Sequence, residues 1–159
     1  KSQKSYNSEL GVPLTIIGAE TGWSSPLKWL RAIWQGVKII IRRDDYLEIL
    51  VLEIGADRPG DIKTIRSWIK PDLAIITALA PIPVHVEFFS SPEELFEEKS
   101  ELIKNLDSRN WAILNFDDEE VMKMKEKTNA QILTFGLSEG AEIRGKNYQI
   151  FLRKKKGIS

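Results

Sequence analysis

The sequence lacks cysteine, contains a single histidine and carries no net charge over its 159 residues. Without cysteine, the protein can form no disulfide, no iron–sulfur cluster and no thiolate zinc site. Its 23 Lys and Arg residues balance its 23 Asp and Glu residues, whereas a dedicated nucleic-acid binder usually carries a basic excess. The composition therefore excludes a disulfide-stabilised scaffold and argues against nucleic acid as a partner.

Long apolar segments are also missing. The longest, Leu73–Val84, is interrupted by Pro81 and Pro83 and is too short to span a bilayer. The first nine residues are polar and have no apolar core of a signal peptide. With 42% apolar and 29% charged residues, the chain has the composition of a globular protein. We therefore expect one cytoplasmic domain over residues 1–159, without a membrane partner.

The chain does contain an alternation of helical and strand-like segments. The predicted helices are Pro26–Gln35, Asp61–Ile69, Pro92–Leu106 and Asp117–Lys127. The predicted strands are Val37–Arg43, Leu47–Leu52, Leu73–Thr77, Trp111–Leu114 and Gln131–Phe135, followed by a β-hairpin over Glu142–Leu152. The almost continuous apolar run Leu47–Leu52 is typical of a strand covered on both faces. The order predicts a doubly wound, mainly parallel α/β sheet with helices on both faces.

Polar residues follow three of these strands. Glu53 follows Leu47–Leu52, His85 lies beyond the loop after Leu73–Thr77, and Asn115 with Asp117 and Asp118 follows Trp111–Leu114. Ligands of such sheets bind at the carboxyl ends of the strands, so these residues are candidates for one site. A solvated Glu53, a structural His85 and helix-capping aspartates remain the alternatives.

One lysine lies on an apolar face of the predicted helix Pro92–Leu106. Lys99 shares a helical stripe with Leu95, Leu102 and Leu106. A charged amine is costly there unless it is paired or chemically changed, although its stem can also pack while its head reaches water. The three glutamates Glu97, Glu98 and Glu101 are interpreted as an ordinary solvated face.

Seven segments, in order along the chain, carry a family resemblance. They are Tyr6–Thr15, Leu52–Ile62, Lys70–Thr77, His85–Ser91, Glu98–Leu102, Leu114–Asp118 and Thr134–Gly136. On these residues the sequence resembles the central, ATP-binding domain of the Mur ligases. It is nearest to the type that adds D-alanyl-D-alanine to the peptidoglycan precursor. The resemblance implies a fold like that of the P-loop NTPases, without its first strand and phosphate loop in these residues.

The resemblance also implies a chemistry. Such ligases use ATP and Mg²⁺ to convert a carboxylate of a UDP-linked muramoyl-peptide precursor into an acyl phosphate. The amine of an amino acid or dipeptide then displaces the phosphate. Negative charge builds up on the transferred oxygens, so Mg²⁺ and positive groups are the expected means of stabilisation.

The resemblance assigns roles to five residues. Glu53, His85 and Lys99 match magnesium ligands, and Lys99 matches a lysine that many members carry in carbamylated form. His85 and Lys99 are accordingly the expected catalytic residues. Asn115 matches the residue that contacts the adenine ring, and Asn7 matches an asparagine near the magnesium and the phosphates.

Three functional hypotheses follow. The retained Glu53, His85, Lys99 and Asn115 favour the central domain of an amide-forming ligase. A non-catalytic module of the same fold is favoured by Ala78, which replaces an asparagine of the family, and by the absence of a Gly-Lys-Thr or Gly-Lys-Ser phosphate loop from the 159 residues. The third is a ligase of the folylpolyglutamate synthase type. Since the N-terminal substrate domain and C-terminal amino-acid domain of the family also have no match here, we expect the isolated chain to be inactive.

Overall fold

The computed structural model describes residues 10–22, 24–42, 46–79 and 88–147 of an α/β protein. The helices are α1 (Gly11–Ile16), α2 (Pro26–Ile41), α3 (Asp61–Arg66), α4 (Pro92–Ser100) and α5 (Glu119–Lys123), the last continued by a 3₁₀ turn over Met124–Lys127. The strands are β1 (Leu73–Ile76), β2 (Trp111–Asn115), β3 (Gln131–Gly136) and β4 (Ile143–Arg144). The chain forms two compact units, Lys1–Lys70 with Ala80–Leu102 and Pro71–Leu79 with Ile103–Ser159.

All four strands belong to the second unit and form one parallel sheet in the order β1-β2-β3-β4. Leu73 lies opposite Trp111, and Trp111 lies opposite Gln131. One face is buried through Ala74, Ile76, Ala112 and Leu114, because alternate side chains of a strand point to the same face. The predicted parallel α/β sheet is confirmed, with strands at three of its predicted positions.

The strand predicted over Val37–Arg43 is wrong, because α2 continues through Ile41. Leu27, Leu30, Trp34, Val37 and Ile41 lie at alternating spacings of three and four residues, which is the period of a helix. Gly36 does not interrupt this helix. Residues 37–41 are rich in β-branched side chains, a composition typical of a strand. They nevertheless continue the helical spacing of the apolar residues before them, and the segment is helical.

The strand predicted over Leu47–Leu52 is also wrong, since these residues form no strand in the structure. Ile49 is 79% exposed and Val51 is 83% exposed. An apolar run shows that a segment can be buried, but a strand also needs a neighbour for its backbone N–H and C=O groups. Residues 47–52 are paired with none of β1 to β4.

The β-hairpin predicted over Glu142–Leu152 lies only partly within the described residues. Its first half contains β4, which pairs with β3 in parallel, Phe135 lying opposite Ile143. Residues 148–152 of the predicted hairpin lie outside the described ranges. Among the residues that the structure describes, no helix combines the length and apolar character needed to cross a membrane.

Candidate functional site

The connection from β2 to α5 joins the carboxyl ends of neighbouring strands. Asn115, the last residue of β2, donates through Nδ2 to the backbone oxygen of Thr77 after β1, at 2.8 Å. Its Oδ1 accepts from the backbone N–H of Asp117 at 3.0 Å. Within the described ranges, the NH₂ group and the carbonyl oxygen of Asn115 each have one hydrogen bond, so one N–H and one lone pair have no partner there. The prediction that Asn115 lies at the carboxyl edge of the sheet is confirmed.

Asp118 caps the helix that follows. Its Oδ1 accepts from the backbone N–H groups of Glu120 and Val121, both at 3.1 Å, which are donors without partners inside the helix. Its Oδ2 accepts from the N–H of Leu79 at 2.8 Å. The helix-capping alternative is therefore the correct one for Asp118, and the same carboxylate also holds the chain that leaves β1.

Asp117 makes the corresponding bonds to the end of β3. Its carboxylate accepts from the backbone N–H groups of Leu137 at 2.6 Å and Ser138 at 3.0 Å. A hydrogen bond from the Ser138 side chain, followed by these two backbone bonds, holds the pKa of Asp117 below its usual value. A Cβ on Gly136 would lie 2.8 Å from the Asp117 Oδ1, so the absence of a side chain there permits this approach.

The segment that carries Glu53 is built differently and belongs to the first unit. Glu53 is exposed and follows no strand, which corrects the predicted placement at a strand end. The chain continues through Gly60, whose φ of 95° favours glycine, into α3. Asp61 Oδ2 closes this turn by accepting from the N–H groups of Asp57 at 3.0 Å and Arg58 at 2.8 Å.

Glu98, a residue of α4, forms hydrogen bonds to this segment. The Glu98 side chain accepts from the N–H of Gly60 at 2.8 Å and from the N–H of Ile62 at 2.7 Å. Glu98 is only 7% exposed, so its interpretation as part of a solvated face is wrong. A carboxylate tolerates such burial when donors satisfy its oxygens. Here the N-cap residue of α3, Gly60, and the first-turn residue Ile62 supply one donor each.

Lys99 is the neighbour of Glu98 in the last turn of α4. Leu95 and Leu106 are buried, whereas Lys99 and Leu102 are partly buried, which agrees with the predicted stripe. The α-helix itself ends at Ser100 rather than Leu106. Glu101, just beyond it, pairs with Arg66 of α3 at 3.3 Å, and these side chains are only 17% and 18% exposed. Glu101 therefore does not belong to a fully solvated face either.

His85 and Asn7 lie outside the described residues, so their predicted roles stay predictions. Within the described ranges, no three histidine, cysteine, aspartate or glutamate side chains are grouped closely enough to hold a metal ion. The sequence interpretation missed Glu98 as a buried acceptor. The sequence near Glu98 gives one indication that it is buried, because Glu98 is adjacent to Lys99 on a helix with an apolar face.

Comparison with known proteins shows to which family the chain belongs. A sequence model described as the Mur ligase middle domain matches residues 36–158, which is most of the chain. The chain belongs to this family. The predicted resemblance to the Mur ligases is thereby confirmed.

Several Mur ligases are similar to this chain along part of their own length. The UDP-N-acetylmuramoyl-tripeptide–D-alanyl-D-alanine ligase of Rickettsia prowazekii is 31% identical over 104 residues, which are 63% of this chain and 23% of that enzyme. The enzyme of the same name from Mycobacterium leprae is 28% identical over 82% of this chain and 20% of its own. The chain spans about a fifth of the length of these curated relatives.

A further relative and one solved structure are also similar to this chain. The UDP-N-acetylmuramoylalanine–D-glutamate ligase of Lactococcus lactis is 30% identical over 58% of this Mur ligase domain and 19% of that enzyme. A crystal structure of MurF from Acinetobacter baumannii superposes with a TM-score of 0.49 at 25% identity, covering 57% of this chain and 19% of that one.

Proposed function

We propose that this chain is the central domain of an ATP-dependent ligase of peptidoglycan precursor synthesis in the cytoplasm. The ligase would join a carboxylate of a UDP-linked muramoyl peptide to the amine of an amino acid or dipeptide, with D-alanyl-D-alanine the first candidate. The observation that carries this proposal is the family match over residues 36–158. Relatives named for D-alanyl-D-alanine addition support that choice of dipeptide.

Asn115 is proposed to bind the adenine of ATP. The hydrogen bonds to Thr77 and Asp117 fix the orientation of its amide. Adenine presents both an acceptor and a donor, and the remaining N–H and lone pair of Asn115 can serve both. The bonds of Asp117 and Asp118 to neighbouring strand ends support this role by holding the connection in place.

Glu53, His85 and Lys99 are proposed as the magnesium ligands, and Asn7 as a residue near the ion and the phosphates. The two oxygen donors fit, because Mg²⁺ prefers oxygen ligands: Glu53 offers a carboxylate, and carbamylation would give Lys99 a carboxylate-like end. His85 would add an imidazole nitrogen to these two oxygen donors. The exposed carboxylate of Glu53 is accessible to an ion. When bound, Mg²⁺ would stabilise negative charge on the transferred phosphoryl group. His85 and Lys99 are the proposed catalytic residues of this group.

The test uses the full-length protein that contains these residues. Phosphate release should require ATP, Mg²⁺, the UDP-linked precursor and D-alanyl-D-alanine together. Lys99→Ala should lower kcat by about 100-fold or more, and added formate should restore part of it by replacing the carboxylate of a carbamylated lysine. Lys63→Ala, at an exposed lysine of α3, is the matched control and should retain activity.

Phosphate release without dependence on the precursor would contradict the proposal. Release that requires a folate and glutamate instead would favour the folylpolyglutamate-type alternative.

A non-catalytic module of the same fold is the second candidate, favoured by Ala78 and by the lack of a Gly-Lys-Thr or Gly-Lys-Ser sequence in the 159 residues. Backbone N–H groups of such a loop normally hold the phosphates. Titration calorimetry of the 159-residue chain with ATP and Mg²⁺ should give a Kd no tighter than about 1 mM, or about −4 kcal/mol. Amide formation by these residues alone should be undetectable. A micromolar Kd would show that another segment binds the phosphates.

A further inference from the structure

We propose that Glu98 is a positioning residue, which holds the Glu53 loop in place against the helix that carries Lys99. The Glu53 loop is defined here as residues 53–62. This inference rests on the proposed function, because it concerns the geometry of the proposed magnesium ligands. It assigns Glu98 no contact with the ion itself.

The Glu98 carboxylate is buried and accepts hydrogen bonds through both of its oxygens. One oxygen accepts from the Gly60 N–H at 2.8 Å and the other accepts from the Ile62 N–H at 2.7 Å. Both oxygens therefore act on the same turn, and the side chain is only 7% exposed. Charge-assisted bonds of this kind are stronger than bonds between neutral groups. They fix the end of the Glu53 loop to one position along α4.

The Glu98–Gly60 bond lies close in the sequence to two of the proposed magnesium ligands. Glu98 is adjacent to Lys99, and Gly60 lies seven residues after Glu53. The bond therefore limits how far the backbone at Glu53 can move from the backbone at Lys99. The Asp61 carboxylate shortens the free part of the loop further, because it accepts from the N–H groups of Asp57 and Arg58.

The same loop has a second attachment, from Arg58 to Phe88. The Arg58 guanidinium lies 4.9 Å from the centroid of the Phe88 ring, which is a cation–π distance. Phe88 follows His85 by three residues. The Glu53 loop is thus attached to α4 through Glu98, beside Lys99, and to Phe88 through Arg58. Both attachments lie within the first compact unit.

The test measures metal binding without turnover. Mn²⁺ is titrated into the full chain, and free Mn²⁺ is followed by electron paramagnetic resonance at a temperature well below the unfolding transition. Glu98→Gln places an NH₂ group opposite a backbone donor, so it should raise the Mn²⁺ Kd by about 10-fold, the lower end of the effect of residues that orient metal ligands. Phe88→Leu removes only the cation–π contact and should raise the Kd by about 2- to 5-fold.

Glu101→Gln is the control for a purely structural role. It removes the charge from the Arg66–Glu101 pair, which also joins α3 to α4, but leaves both Glu98 bonds intact. This variant should melt at a lower temperature and bind Mn²⁺ with the affinity of the parent chain.

Four outcomes are informative. A Kd raised by Glu98→Gln but not by Glu101→Gln supports the inference. If Glu98→Gln fails to fold, Glu98→Asp, whose shorter side chain keeps the charge but cannot make both bonds, is compared with Glu101→Gln in the same way. Equal affinity of the parent chain and Glu98→Gln overturns the inference and leaves the proposed function standing. A Kd raised equally by Glu101→Gln also overturns it. If the parent chain binds no Mn²⁺, the proposed metal site fails and the inference fails with it.

Discussion

The two loops proposed to bind ligands are held in opposite ways. In the connection after β2, the residues Asn115, Asp117 and Asp118 provide the side chains that bind the neighbouring strand ends. The Glu53 loop instead depends on a carboxylate that lies 36 to 38 residues further along the chain. Both loops thus depend on distant partners, which for the first loop lie 20 to 39 residues away. The first loop supplies its own side chains to these bonds, whereas the second receives its acceptor from α4 and requires that α3 and α4 are already packed together.

The largest expected effect tests this dependence on α4. Glu98→Gln should lower the free energy of unfolding by about 3 kcal/mol, because one buried N–H then faces another donor instead of an acceptor. Urea denaturation measures the loss. Glu97→Gln, at an exposed neighbour on the same helix, should change stability by less than about 0.5 kcal/mol.

Amide hydrogen exchange in Glu98→Gln tests directly whether the two loops are held independently. The amides of Gly60 and Ile62 should lose protection in Glu98→Gln, while the amide of Leu79, bound to Asp118, should keep it. Loss of protection at all three amides would show that the two loops are not independently held.

Asp118→Ala is the reciprocal experiment. It removes a helix cap and the acceptor for Leu79, and we expect the free energy of unfolding to fall by about 2 kcal/mol. Asp118→Asn should lose only about half as much, because asparagine also caps helices. In both variants Leu79 should exchange faster while Gly60 does not, and Val121 should exchange faster in Asp118→Ala alone. Unchanged exchange at Leu79 would contradict the proposed attachment of the β1 end.

This contrast explains how much the sequence could predict. The strands β1, β2 and β3 depend on short patterns of a few residues, and those predictions were correct. Capping by Asp118, which the sequence left open as an alternative, depends on such a local pattern as well. Glu98 has the sequence context of a solvated glutamate, and only the packing of α3 against α4 makes it a buried acceptor. The strand predicted over Leu47–Leu52 failed for a related reason, since a pattern of apolar residues does not supply a pairing partner.

A smaller effect is expected at Gly136, and its sign should depend on Asp117. An alanine side chain there would meet the Asp117 Oδ1 at 2.8 Å, so Gly136→Ala should destabilise the protein by about 1 kcal/mol. In an Asp117→Ala background the obstacle is gone. The same substitution should then stabilise by about 0.5 kcal/mol, because glycine is unfavourable within a strand. A double-mutant cycle in urea measures both values, and equal costs in the two backgrounds would refute the contact.

The smallest expected effect is the pH dependence that Asp117 contributes. Hydrogen bonds from the Ser138 side chain and from the backbone of Leu137 and Ser138 lower the pKa of this carboxyl in the folded chain. The unfolded chain therefore takes up the proton at a higher pH than the folded chain. It follows that this stabilisation is complete above the pKa of the unfolded state and is lost as the pH falls through the lower pKa of the folded state. Carboxyl ¹³C NMR should show Asp117 titrating below an ordinary aspartate, and Ser138→Ala should move its pKa upward. If Ser138→Ala leaves that pKa unchanged, the Asp117 carboxylate is not held to the end of β3 by the Ser138 side chain, and its attachment there depends on the backbone N–H groups alone.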